Sequence, residues 1–145
     1  MSPLPPLQYH TLRHGNRQVS IELWPRPGAA CLVFYPGTMF CPVQYRTFLH
    51  CLWKNGLAVA ALHLTGHGIN PHRCRFSFDD LLRDGLDAEQ WLFDNGMGPL
   101  LLAGHSQGGI LAMAHASRSG RMRACFAFSG IFPQSRRAIE LTRFA

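Results

Sequence analysis

The chain has 145 residues, 47% hydrophobic, 11% aromatic and 15% charged, which excludes a disordered or fibrous protein and fits one globular domain over residues 1–145. That length can bury a core without disulfide staples. The formal net charge of +6 is segregated. Asp79, Asp80, Asp84, Asp87, Glu89 and Asp94 share one segment, whereas Arg118, Arg121, Arg123, Arg136, Arg137 and Arg143 crowd the C-terminal end; with no interleaved aromatics, this argues against a nucleic-acid partner.

No apolar run approaches the roughly 20 residues of a membrane helix, and the Pro-rich start lacks the basic and apolar regions of a signal peptide, so a cytoplasmic protein without a membrane span is expected. Cys31, Cys41, Cys51, Cys74 and Cys125 form no C-x-x-C pair and no zinc-like spacing with histidine, and read as reduced thiols. Cys31 and Cys125 lie in apolar runs, where a thiol acts as a small core residue.

Residues 7–12 and 19–23 alternate apolar with polar around Gly15-Asn16, predicting an antiparallel hairpin. Residues 29–35, 57–62, 100–103 and 124–128 are instead continuous apolar runs, the pattern of parallel strands covered on both faces. Helix-length segments at 42–54, 78–93 and 107–117 separate them. Ser77 to Asp80 reads as a capping box with Asp in place of Glu, and Gly56 and Gly96 as C-terminal stops. The acids from Asp79 to Asp94 are expected to form a solvated helix face rather than a metal site. Alternating strands and helices with right-handed crossovers predict an α/β fold: an open, mostly parallel sheet with helices on both faces and an antiparallel N-terminal hairpin. In such sheets ligands bind beyond the carboxyl ends of the strands.

At that edge stands Gly104-His105-Ser106-Gln107-Gly108-Gly109, a G-x-S-x-G between an apolar strand and an apolar helix. A turn this tight crowds the backbone at the serine, so its neighbours must be small. The helix beginning after Ser106 directs free N–H groups toward it, which aims the Gln107 amide at a developing oxyanion. The loop Tyr35-Pro36-Gly37-Thr38-Met39, at the same edge, offers the Thr38 amide as a second donor.

With Thr65-Gly66-His67-Gly68, these landmarks make residues 29–128 resemble the α/β-hydrolase superfamily, in particular its lysophospholipase and monoacylglycerol-lipase-like serine esterases. The resemblance implies Ser106 as nucleophile, the Gln107 and Thr38 amides as oxyanion hole, and a site-shaping role for the turn at His67. Two positions depart from the usual pattern: Tyr35-Pro36 replaces a common His-Gly, and His63 stands where many relatives carry Asp.

A larger departure follows the serine. The superfamily places its acid and histidine downstream of the nucleophile, yet after Ser106 the sequence has only His115, Glu140 and no Asp. His115 lies on the helix that follows Ser106, and Glu140 in an Arg-rich tail. His67, and His63 near it, are the upstream candidates for the base. His105 reads as a packing residue of the turn, and His10, His14, His50 and His72 show no metal-ligand spacing. No nucleotide-binding glycine motif is present, so no cofactor or metal is expected.

The expected function is a serine hydrolase acting on a small-molecule carboxylic ester, lipid esters included, through a Ser106 acyl-enzyme. The chain reads as the N-terminal part of such an enzyme, truncated after its sixth strand, or completed by self-association or another chain along an apolar C-terminal edge strand. A thioesterase or acyltransferase with the same serine, and an inactive fragment that serves as a binding module, are the alternatives.

Overall fold

Gly15, at φ +59°, turns the chain between β1 (Gln8–His14) and β2 (Arg17–Trp24), which pair antiparallel as their alternation requires. The computed structural model describes residues 6–72 and 75–129. After the hairpin come β3 (Cys31–Tyr35), a 3-10 turn at Pro42–Tyr45 and α1 (Arg46–Lys54). β4 (Ala58–His63), α2 (Phe78–Asp94), β5 (Leu100–His105), α3 (Gln107–Arg118) and β6 (Met122–Phe128) complete it.

The six strands form one sheet in the order β1-β2-β4-β3-β5-β6. β3 pairs parallel with β4 and β5, and β5 parallel with β6, so the carboxyl ends of these four strands share one edge. Along β3, Cys31, Val33 and Tyr35 enter the core beneath α2 and α3, while Leu32 and Phe34 enter the core on the other face, with Leu49 of α1. Helices on both faces thus explain the unbroken apolar run: neither side of the strand meets water. Ser77 caps α2 by accepting from Asp80 N at 3.1 Å, while the Asp80 carboxylate accepts from Ser77 N at 2.8 Å. Gly56 and Gly96 follow α1 and α2 with φ of +103° and +72°, a region closed to most side chains.

Some expectations need correcting. The helical segment at 42–54 opens as a 3-10 turn, Pro42–Tyr45, before the α-helix starts at Arg46. β6 starts at Met122 and includes Arg123, so the edge strand carries a charge; Ile131, Phe132, Arg136, Arg137, Glu140 and Arg143 lie outside the described residues, as does Cys74. The acids of α2 are not all solvated. Asp84 and Glu89 are buried, because helical periodicity places them beside Leu81, Gly85, Ala88 and Leu92. Arg17 bridges Asp84 and Asp87 at 2.8 Å each, and His115, Ser119 and Arg121 gather on Glu89. Among the described residues, no helix is long and apolar enough to cross a membrane, and no cluster of three or more His, Cys, Asp or Glu could hold a metal ion.

Candidate active site

Ser106 sits between β5 and α3 with φ +54° and ψ −123°. This is the mirror image of ordinary extended backbone, and an L-residue adopts it only under compulsion. Here the compulsion is visible: the Ser106 N–H donates to Phe128 O at 3.0 Å, and the Gly109 N–H closes back on Ser106 O at 2.9 Å. Gly104 and Gly108 must be glycine, since a Cβ on the first would overlap the Gly108 carbonyl and one on the second the Tyr35 and Pro36 carbonyls. Strand β5, helix α3 and the loop after β3 are therefore in backbone contact around the serine.

Thr38 lies in that loop and donates its hydroxyl to Gln107 Oε1 at 2.9 Å, so the two sequence-predicted amide donors belong to touching residues. Neither the Thr38 nor the Gln107 N–H has an acceptor among the described residues; the second is one of the orphan amides of a helix start. Two unpartnered donors beside a hydroxyl can stabilise an oxygen that gains negative charge.

His67 reaches the same region. It lines a narrow crevice with Gln107, Gly37 and Phe40, walled by Leu62, Leu81 and Leu111. Its Nδ1–H donates to Thr65 O at 2.8 Å, which leaves Nε2 as the acceptor nitrogen. The loop that carries it is anchored from below. Asp84 Oδ2 accepts from Thr65 N at 2.7 Å, and Asn70 Nδ2 donates to His63 O and Leu64 O at 2.7 and 2.9 Å. Ser106 Oγ has no hydrogen-bond partner among the described residues, so His67, which shares the crevice with Gln107, does not bond the serine.

The remaining histidines near the edge are engaged elsewhere. His63 accepts from Ile69 N at Nδ1 and donates from Nε2 to buried Glu22 at 3.0 Å, with Arg46 on the other Glu22 oxygen at 3.2 Å. His115 is fully buried beneath the sheet, taking the Tyr35 hydroxyl proton at Nδ1 across 2.8 Å and donating from Nε2 to Glu89. Burial holds its pKa below the ordinary value of 6.5, against the opposing pull of Glu89. Burial likewise raises the Tyr35 phenol, reinforced by Asp84 and Glu89. His105 is more than packing: its Nδ1 lies 2.7 Å from the Tyr45 hydroxyl. Sequence spacing gave no sign of that contact, which spans 60 residues of chain.

The profile of the alpha/beta hydrolase family matches residues 21–144. The chain belongs to the α/β-hydrolase family. Among solved structures, this α/β hydrolase is similar to a thioesterase domain from the curacin biosynthetic pathway, with 23% identity and a TM-score of 0.70 over 95% of this chain and 52% of that one. A thermostable carboxyl esterase from Bacillus coagulans matches at 16% identity and TM-score 0.74 over 95% of this chain and 49% of that one. Dienelactone hydrolase from Anabaena variabilis matches at 20% identity and TM-score 0.72, over 88% and 64%. The chain thus spans about half to two-thirds of the length of these structures, and the likeness establishes the fold alone. Comparison with curated protein sequences gives no match.

Proposed function

We propose that the chain carries the nucleophile half of a serine esterase site that cleaves carboxylic esters through an acyl-enzyme on Ser106. Ser106 Oγ attacks the ester carbonyl, the oxygen that becomes negative lies between the Gln107 and Thr38 amides, and the C–O bond to the alcohol breaks as the alcohol leaves with a proton. Water then attacks the acyl carbonyl, releasing the carboxylic acid and restoring the Ser106 hydroxyl. The observation that carries this reading is the pairing of a serine in mirror-image backbone with two adjacent amides that have no other acceptor. The side chains of Leu62, Leu81 and Leu111 next to Gln107 offer no partner for a charge, which favours a neutral acyl group, lipid esters included, over a charged one.

In this reading the histidine and acid that activate Ser106 come from outside the described residues, because His63, His105 and His115 are engaged by Glu22, Tyr45 and Glu89. One observation favours a second reading, with His67 as a local base: its Nε2 is the free acceptor nitrogen. A fluorophosphonate probe separates the two. Wild type is expected to be labelled slowly, by the serine and its oxyanion donors without a base, Ser106→Ala not at all, and His67→Ala at the wild-type rate; loss of labelling in His67→Ala makes His67 the base. Failure of wild type to label contradicts the serine mechanism. A thioesterase or acyltransferase would use the same Ser106, and product analysis with thioester substrates and alcohol acceptors distinguishes it.

A further inference from the structure

Tyr45 closes the 3-10 turn after β3, packed edge-on against Phe34 with ring centroids 4.8 Å apart. Its hydroxyl accepts the Gly37 N–H at 3.0 Å and lies 2.7 Å from His105 Nδ1. With one hydrogen taken from Gly37, the hydroxyl has its own proton to give to His105, which places the histidine proton on Nε2. The two partners stand close to the two orphan amides in the chain: Gly37 directly precedes Thr38, and His105 lies two residues before Gln107. One oxygen therefore joins the oxyanion loop to the end of β5. The approach is close: a Cβ at position 37 would lie 3.1 Å from His105 Nδ1 and 3.2 Å from Tyr45 Oη, so a larger residue would push both side chains back by a few tenths of an ångström.

We propose that Tyr45 and His105 are positioning residues, a hydroxyl–imidazole clasp that fixes the distance between the Thr38 and Gln107 amides and so sets how well both hold the same oxygen. The proposal rests on the esterase reading of Ser106. A second tie, Thr38 Oγ1 to Gln107 Oε1, is exposed to water and weaker for it, which leaves the sheltered Tyr45 bond as the main constraint. Displacing a catalytic donor by about 1 Å can cost on the order of a hundredfold in rate.

The test uses Tyr45→Phe, which keeps the ring packing and removes the oxygen, and His105→Asn, whose Oδ1 can take the place of Nδ1 as acceptor, beside His105→Leu, which cannot accept. The proposal expects the maximal fluorophosphonate labelling rate at Ser106 to fall about tenfold to a hundredfold in Tyr45→Phe and His105→Leu, with the half-saturating probe concentration unchanged, and to recover in His105→Asn. Wild-type maximal rates in Tyr45→Phe, or equal rates in His105→Asn and His105→Leu, overturn it. Amide hydrogen exchange gives an answer independent of labelling. If wild type is not labelled, the esterase reading fails, and the clasp still stands or falls on whether the Gly37 amide, which donates to the Tyr45 hydroxyl, exchanges about tenfold faster in Tyr45→Phe while β5 amides do not change. Identical exchange in the two proteins overturns it.

Discussion

Replacing Ser106 by glycine should make the protein more stable while abolishing its chemistry. At φ +54° and ψ −123° the backbone of Ser106 occupies a region that costs an L-residue about 1–3 kcal/mol, and glycine occupies that same region without penalty. Glycine also loosens the unfolded chain, which offsets about 0.5–1 kcal/mol. Ser106→Ala is the control, since it removes the hydroxyl and keeps the Cβ that creates the strain. No hydrogen bond to the Ser106 hydroxyl exists among the described residues, so the two variants differ only in backbone freedom. The balance favours Ser106→Gly over Ser106→Ala by about 1 kcal/mol, or about 2–4 °C in Tm for a chain of this size. Thermal unfolding followed by circular dichroism measures it. A Ser106→Gly variant melting at or below Ser106→Ala would refute the claim that the fold holds this serine under strain.

Three further outcomes follow from the same geometry. Gly108→Ala puts a methyl group into the Tyr35 and Pro36 carbonyls and should lower stability by about 1–3 kcal/mol or more, together with loss of Ser106 labelling; urea denaturation reads the first and probe labelling the second. His115, whose pKa burial holds below 6.5, binds protons more readily in the unfolded chain than in the folded one, so acidification through that value draws the protein toward unfolding and its stability falls as pH falls. The urea midpoint should therefore drop between about pH 8 and about pH 5 less steeply in His115→Gln than in wild type, and equal slopes would contradict the assignment. The Cys31 thiol, pushed up to about 12 by burial, should resist iodoacetamide at about pH 8 in the folded protein while exposed Cys51 is alkylated, as peptide mass mapping would show.

The strands were legible because each problem they solve is local. A run such as Cys31 to Tyr35 has both faces to bury and so contains no charged residue, and the glycines flanking Ser106 mark a turn that admits nothing larger. The polar pairs escaped the same reading, since their partners lie far apart in sequence: Glu22 with His63, Arg17 with Asp84, Tyr35 with His115. Asp84 and Glu89 did carry a signal, because they share the helical stripe of Leu81, Ala88 and Leu92, but a cluster of like charges reads first as a solvated face. The Thr38 hydroxyl bond to Gln107 depends on how the loop after β3 meets the start of α3 across the sheet edge, which no spacing within either encodes.

The central claim is that the Gln107 and Thr38 amides share one oxygen above Ser106. A crystal structure of the protein phosphonylated by a fluorophosphonate tests it most directly. The account predicts the phosphorus on Ser106 Oγ and its free oxygen about 2.7–3.1 Å from both amide nitrogens. An adduct on another residue, or an oxygen turned away from both amides, would contradict it.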